Sequence, residues 1–100
     1  MARFQVDTHI PAIAEFCRQN GIKRLSLFGS ALREDFSEES DLDVLVDFEP
    51  GRAPGFIGFA RLQMELSAIF GRSVDLKTPA DLSHYFRDEV LREARPLHAA

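Results

Sequence analysis

Three aspartates carry the strongest chemical signal in this chain. Asp41 and Asp43 lie two apart in the run Ser40-Asp41-Leu42-Asp43-Val44-Leu45-Val46, and Asp75 follows in Ser73-Val74-Asp75-Leu76. On an extended strand, residues i and i+2 share a face with Cα atoms roughly 6.5 to 7 Å apart, so the Asp41 and Asp43 carboxylates can converge on one place. Two carboxylates held that close repel each other unless a cation sits between them. A hard divalent ion such as Mg²⁺ suits them, because it prefers oxygen ligands, keeps several waters and is commonly completed by substrate phosphates. If the strand of Asp75 lies beside that of Asp43, the spacing of about 4.8 Å between neighbouring strands brings Asp75 within reach of the same ion. It would then ligate the metal that activates an attacking hydroxyl and accept the proton released. That is a two-metal arrangement, in which the other ion steadies a departing pyrophosphate.

A second group of residues suits phosphate. Gly29-Ser30 stands where a strand runs into a helix, and glycine there lets backbone N–H groups approach a phosphate closely. The helix N-terminus adds partial positive charge, and the Ser30 hydroxyl can donate as well. Arg33, one turn on, can neutralise phosphate or pair with a carboxylate. Taken singly, each feature has an ordinary structural use: Asp-x-Asp as a solvated strand face, Gly-Ser as a strand end, Asp75 as an edge-strand charge, Arg33 as a surface residue. Their joint spacing, with Ser40 ten residues after Ser30 and Asp75 on a later strand, gives the chemistry its weight.

The elements that must position these residues are legible from periodicity. A first helix starts near Thr8, tolerates Pro11 in its first turn and stops at Gly21, with Ile10, Ile13 and Cys17 as its buried stripe. Ile22 to Phe28 reads as a first strand, Ser30 to about Asp35 as a short helix, and Phe36 to Ser40 as irregular. In the run Asp41 to Phe48, Leu42, Val44, Val46 and Phe48 point one way, and Asp41, Asp43, Leu45 and Asp47 the other. Asp47 lies about 13 Å from Asp43 along such a strand, too far to share its metal. After the loop from Glu49 to Gly55, the positions Phe59, Leu62, Leu66, Ile69 and Phe70 predict an amphipathic helix ending at Gly71. Ser73 to Lys77 forms a third strand. Thr78-Pro79-Ala80-Asp81 has the form of a capped helix start, so the tail from Pro79 to about Ala94 is expected to be helical, in one or two pieces. The fold class is α/β in the order α-β-α-β-α-β-α, an α/β sandwich on a small sheet.

Composition narrows the partners. One hundred residues at 45% hydrophobic content suffice for one compact domain, so a single domain over residues 1–100 is expected, receiving its acceptor in an open cleft. A net charge of -4, with no Trp and one Tyr, argues against a surface that tracks a nucleic-acid template. The lone Cys17 cannot form an internal disulfide, and the N-terminal residues lack the apolar run of a signal peptide or membrane span; a cytoplasmic, membrane-free protein is the expectation. His9, His84 and His98 show no metal spacing. Tyr85 is expected to be half-buried, and Arg87, Arg92 and Arg95 to meet water from a terminal helix.

The segments Leu27-Phe28-Gly29-Ser30, Arg33, Ser40 to Val46 and Ser73 to Leu76 together resemble the nucleotidyltransferase signature of the DNA polymerase beta superfamily. At this length the chain is similar to the minimal nucleotidyltransferases, the MntA-type antitoxins, and the likeness extends to the closing run Tyr85 to Ala94. The resemblance implies the nucleotidyltransferase fold, α/β (α+β) with a small mixed sheet flanked by helices, with Asp41 and Asp43 as catalytic metal ligands, and Asp75 as third ligand and candidate base. It places Gly29 and Ser30 on a triphosphate, with Arg33 and Ser40 grouped among the nucleotide-binding residues. It further implies two Mg²⁺ ions, ATP as AMP donor, and a partner: a HEPN-type toxin neutralised by adenylylation of a tyrosine hydroxyl. One departure is that Leu32 precedes Arg33 and Glu34 follows it, where relatives often have a small residue and a glycine. Two other functions compete: transfer to a small hydroxylated molecule such as an aminoglycoside, and a non-catalytic module that binds nucleotide or a partner.

Overall fold

The computed structural model describes residues 10–29 and 41–99. Helix α1 spans Ile10–Asn20 and presents Ile13, Phe16 and Cys17 to the core, the i, i+3, i+4 spacing of one helical face. The helix stops where Gly21 turns left-handed at φ 67°, as the sequence predicts. Strand β1, Ile22–Phe28, follows at once, and β2 is Leu42–Phe48. Helix α2, Phe56–Phe70, carries the chain over to β3, Val74–Lys77. Such a crossover is required because β2 and β3 run parallel, which no tight turn can arrange.

The sheet order is β3-β2-β1-β4, with β1 antiparallel to both of its neighbours. Alternation along β2 is as expected: Leu42, Val44 and Val46 enter the core and Phe48 packs against it. They meet Ile13, Phe16 and Cys17 of α1 and Leu62, Leu66 and Phe70 of α2, so both helices cover the same face of the sheet. Each fully buried Leu or Ile there contributes about 1.5 to 3 kcal/mol relative to exposure. Leu66 of α2 and Leu42 of β2, both wholly inaccessible, anchor their elements in this shared core.

The other face of the sheet carries the candidate site residues in rows. Phe28 of β1, Asp43 of β2 and Asp75 of β3 are register partners across three strands. Two residues along, Ser26, Leu45 and Lys77 form the next row. An element of cross-strand pairing therefore decides which functional side chains meet.

Beyond β3 the tail is helical in two short pieces, within the sequence expectation: a 3₁₀ turn at Pro79–Asp81 and helix α3 at Arg87–Glu93. It then ends in a fourth strand, β4, Arg95–Ala99, which the periodicity did not suggest. Five residues with a proline and no apolar alternation do not read as a strand, yet an edge position beside β1 tolerates Pro96. Tyr85, expected to be half-buried, is 80% exposed and lies against the His84 ring at a centroid distance of 4.1 Å. Arg87 does not simply meet water: its Nε donates to the Pro79 carbonyl at 2.9 Å and its guanidinium to the Leu82 carbonyl at 3.1 Å, tying α3 to the preceding turn. Among the described residues, no helix is long and apolar enough to cross a membrane. The expected start near Thr8 and the short helix after Ser30 lie outside the described residues.

Candidate active site

Asp43 occupies the middle of the sheet, half-buried, between Phe28 on one side and Asp75 on the other. Its position relative to Gly29 is the tightest constraint in the region. Gly29 adopts φ 69°, a left-handed conformation that side chains rarely tolerate. A Cβ added there would collide with the Asp43 Oδ2 atom and stand 3.1 Å from its Cγ. The Asp43 carboxylate thus lies directly over the Gly29 backbone, in space that only glycine leaves open. Asp41, exposed and just ahead of β2, is two residues from Asp43 and so shares its side of the strand.

Asp75 is the parallel register partner of Asp43, which places the two carboxylates on neighbouring strands at the same level. Along β3 it alternates with buried Val74 and Leu76 and faces outward, as the sequence predicts. The strand that carries it is an edge, and α2 secures that edge. The Val74 N–H donates to Ser67 Oγ at 3.0 Å and the Leu76 N–H to Gln63 Oε1 at 2.9 Å. Ser67 Oγ in turn donates to the Gln63 carbonyl at 2.9 Å. On the opposite side β3 is held by β2, with the Leu42 N–H donating to the Ser73 carbonyl at 2.9 Å. Both edges of a four-residue strand are therefore hydrogen-bonded, which holds Asp75 in register despite the strand's shortness.

Lys77 joins this acidic row. Its ammonium donates to Asp75 Oδ2 at 2.6 Å, with both side chains part-exposed. The hydrogen bond that Lys77 donates to Asp75 raises the Lys77 pKa above its ordinary value, burial opposes the rise, and attraction to Asp75, Asp43 and Asp81 adds to it. A positive charge already sits against Asp75, within electrostatic reach of Asp43 and Asp81. Asp81 is itself fixed by the capping contacts expected from the sequence, accepting from the Thr78 N–H at 3.0 Å and the Thr78 hydroxyl at 3.1 Å.

The structure thus brings Asp43, Asp75 and Gly29 together and leaves Asp41 at the rim of the same strand end. Ser30, Arg33 and Ser40 lie outside the described residues. Among the described residues no three acidic, histidine or cysteine side chains close into a ready metal cage. The donor chemistry nevertheless fits a hard cation: oxygens alone, two carboxylates in register, and an ammonium drawn in beside them. Lys77, Gln63 and Ser67 were not singled out from the sequence. A lysine at i+2 from Asp75 on a strand signals a shared face, and Gln63 and Ser67 form a polar i, i+4 pair beside the buried Leu62 and Leu66 of α2.

Comparison with known proteins agrees with the fold. The family described as the nucleotidyltransferase domain matches residues 10–97. The protein adenylyltransferase MntA of Thermococcus cleftensis is 38% identical over 73 residues, covering 73% of this chain and 72% of that one. A solved structure provisionally described as a minimal nucleotidyltransferase superimposes with a TM-score of 0.76 at 36% identity, covering 96% of both chains. A Shewanella oneidensis complex of a tri-AMPylated HEPN toxin with its MNT antitoxin aligns with a TM-score of 0.68. At 20% identity, over 96% of this chain and 74% of that one, the likeness is one of fold.

Proposed function

The chain belongs to the nucleotidyltransferase domain family, and from that premise we propose that it transfers AMP from ATP to a tyrosine hydroxyl of a cognate HEPN-type toxin, acting as that toxin's antitoxin. The observation that carries the chemistry is the in-register pair Asp43 and Asp75 beside the left-handed Gly29. The adenylyltransferase name of the Thermococcus relative and the AMPylated toxin in the Shewanella complex support the acceptor class. We read residues 1–100 as one such domain, with the toxin supplying the acceptor.

In this reading Asp41 and Asp43 hold the Mg²⁺ that accompanies the triphosphate, and Asp75 serves a second ion. Bound Mg²⁺ would supply charge stabilisation at the phosphates and lower the pKa of the attacking hydroxyl. Gly29, with Ser30 after it, keeps the backbone open to the triphosphate, and Arg33 and Ser40 belong to the same nucleotide side. The acceptor oxygen bonds to the α-phosphorus as the bond from that phosphorus to the bridging oxygen breaks and pyrophosphate departs. Asp75 takes the proton that the acceptor hydroxyl loses.

The test is intact-mass spectrometry of a co-expressed HEPN-type toxin, incubated with the chain, ATP and Mg²⁺. One or more added AMP units, mapping to tyrosine and requiring both ATP and Mg²⁺, is the expected result. An unmodified toxin that is still neutralised would assign the chain a binding role instead.

A further inference from the structure

Lys77 is a cation that the described residues place against the acidic row, and the family's signature has no part for it in the reading above. It stands two residues from Asp75 on the same face of β3 and is in register with Leu45, one row behind Asp43. Its Nζ lies 2.6 Å from Asp75 Oδ2. A lysine side chain is a compact charge on a flexible four-carbon stem, and with 37% of the side chain exposed it has room to swing away from Asp75.

We propose that Lys77 is a resident counter-cation of the site: it holds Asp75 in the metal-free protein and yields that carboxylate when a divalent ion arrives with the nucleotide. This rests on the nucleotidyltransferase reading, in which Asp43 and Asp75 are metal ligands. Three consequences follow from charge alone. In the metal-free state the ammonium offsets the repulsion between two carboxylates set side by side on neighbouring strands. It also engages an Asp75 oxygen that a metal would need, and its own charge opposes the entry of a doubly charged ion. A triphosphate reverses the balance, since its negative charge both draws the metal in and offers the displaced ammonium a new anionic partner. Lys77 therefore makes metal occupancy depend on nucleotide, and acts as a positioning residue for Asp75.

The experiment measures Mn²⁺ binding by electron paramagnetic resonance on the wild type, K77M, K77R and D43N, first without nucleotide and then with a saturating non-hydrolysable ATP analogue. Without nucleotide, K77M is expected to bind Mn²⁺ about threefold to tenfold tighter than wild type, the scale on which a part-exposed charge acts. K77R, which keeps the charge, stays within about twofold, and with the analogue bound the gap between K77M and wild type closes. Equal or weaker Mn²⁺ binding by K77M, alongside the loss expected in D43N, overturns the role of Lys77 and leaves the metal site standing. An undiminished gap with the analogue bound also overturns it, because the ammonium would not have been displaced. Native Mn²⁺ affinity in D43N removes the metal reading itself, and the role of Lys77 with it.

Discussion

Strand β1 is bracketed by two left-handed glycines, Gly21 at φ 67° and Gly29 at φ 69°, and each has a charged side chain packed over its backbone. At Gly21 that side chain is Arg52, whose atoms would stand 2.7 Å from an added Cβ. At Gly29 it is Asp43. The local device is the same, but its surroundings differ. Around Gly21 the contacts are those of a chain reversal: the Glu49 N–H donates to the Gly21 carbonyl at 2.9 Å and the Arg52 N–H to the Glu49 carbonyl at 2.9 Å. A cavity of about 390 Å³ opens beside them, lined by Ala14, Cys17, Ile22 and His98 among others. Around Gly29 the charged side chain has a second carboxylate at its own level on the next strand, a juxtaposition that folding alone does not favour. The difference teaches that a glycine cradle becomes a candidate site when it seats one of two like charges held side by side, an arrangement typical of functional sites.

The sharpest break in this comparison is chemical. Asp43→Asn is expected to abolish AMP transfer, while Arg52→Gln at the opposite end leaves it within about twofold, as for most surface substitutions. Both proteins should remain folded by circular dichroism, and transfer is followed with radiolabelled ATP. Equal losses in the two variants would mean that the acidic end is not privileged. Asp75→Asn separates chemistry from binding at the same end. It should bind Mg²⁺-ATP within a few-fold of wild type, yet lose transfer by about two or more orders of magnitude, the scale of proton acceptance and nucleophile activation. Paired calorimetric titration and single-turnover assays measure the two quantities, and native turnover in Asp75→Asn would remove it from the site.

A smaller effect comes from the glycines themselves. Gly21→Ala and Gly29→Ala both force a side chain into the left-handed region, and each should cost about 1 to 2 kcal/mol of stability in urea melts. Only Gly29→Ala also pushes on Asp43, so its ATP affinity should drop by about tenfold or more while that of Gly21→Ala holds within about twofold. Matching ATP affinities in the two variants would show that the cradle at Gly29 has no part in nucleotide binding.

Much of this arrangement was legible in residue order, for stated physical reasons. Period-two alternation in Leu42 to Phe48 fixed which side Asp43 faces, and Val74 and Leu76 did the same for Asp75. That β3 lies beside β2 was a condition in the sequence reading, because strand order depends on how α2 packs, and α2 packs through long-range contacts of Leu62, Leu66 and Phe70. The Lys77 contact and the Gln63 and Ser67 bonds to β3 were not legible, since each joins polar side chains whose partners become visible only once the register is known. Strand β4 escaped because its pairing with β1 comes from tertiary placement, and Arg95-Pro96-Leu97-His98-Ala99 has little strand preference of its own.

The smallest expected effect belongs to the Gly21 end and concerns Cys17, which lines the cavity there and is wholly inaccessible. Burial penalises the thiolate and pushes the Cys17 pKa up to about 12 from an ordinary 9.0. Because the folded state holds this proton more tightly than the unfolded chain, the thiol's contribution is fully present below about pH 9 and is lost as pH rises from there toward 12. The decline has a limiting slope of about 1.4 kcal/mol per pH unit. Lys77, raised above its ordinary 10.5, acts in the same direction but only at more alkaline pH, so the interval from about pH 8 to 10 isolates the cysteine. Urea midpoints of the wild type should fall across that interval. Cys17→Ala, which loses about 1 kcal/mol at neutral pH through the small cavity it leaves, should show a flat profile there. A variant that declines as steeply as the wild type would place the alkaline sensitivity in another group and show that the thiol is not sealed from water as its burial implies.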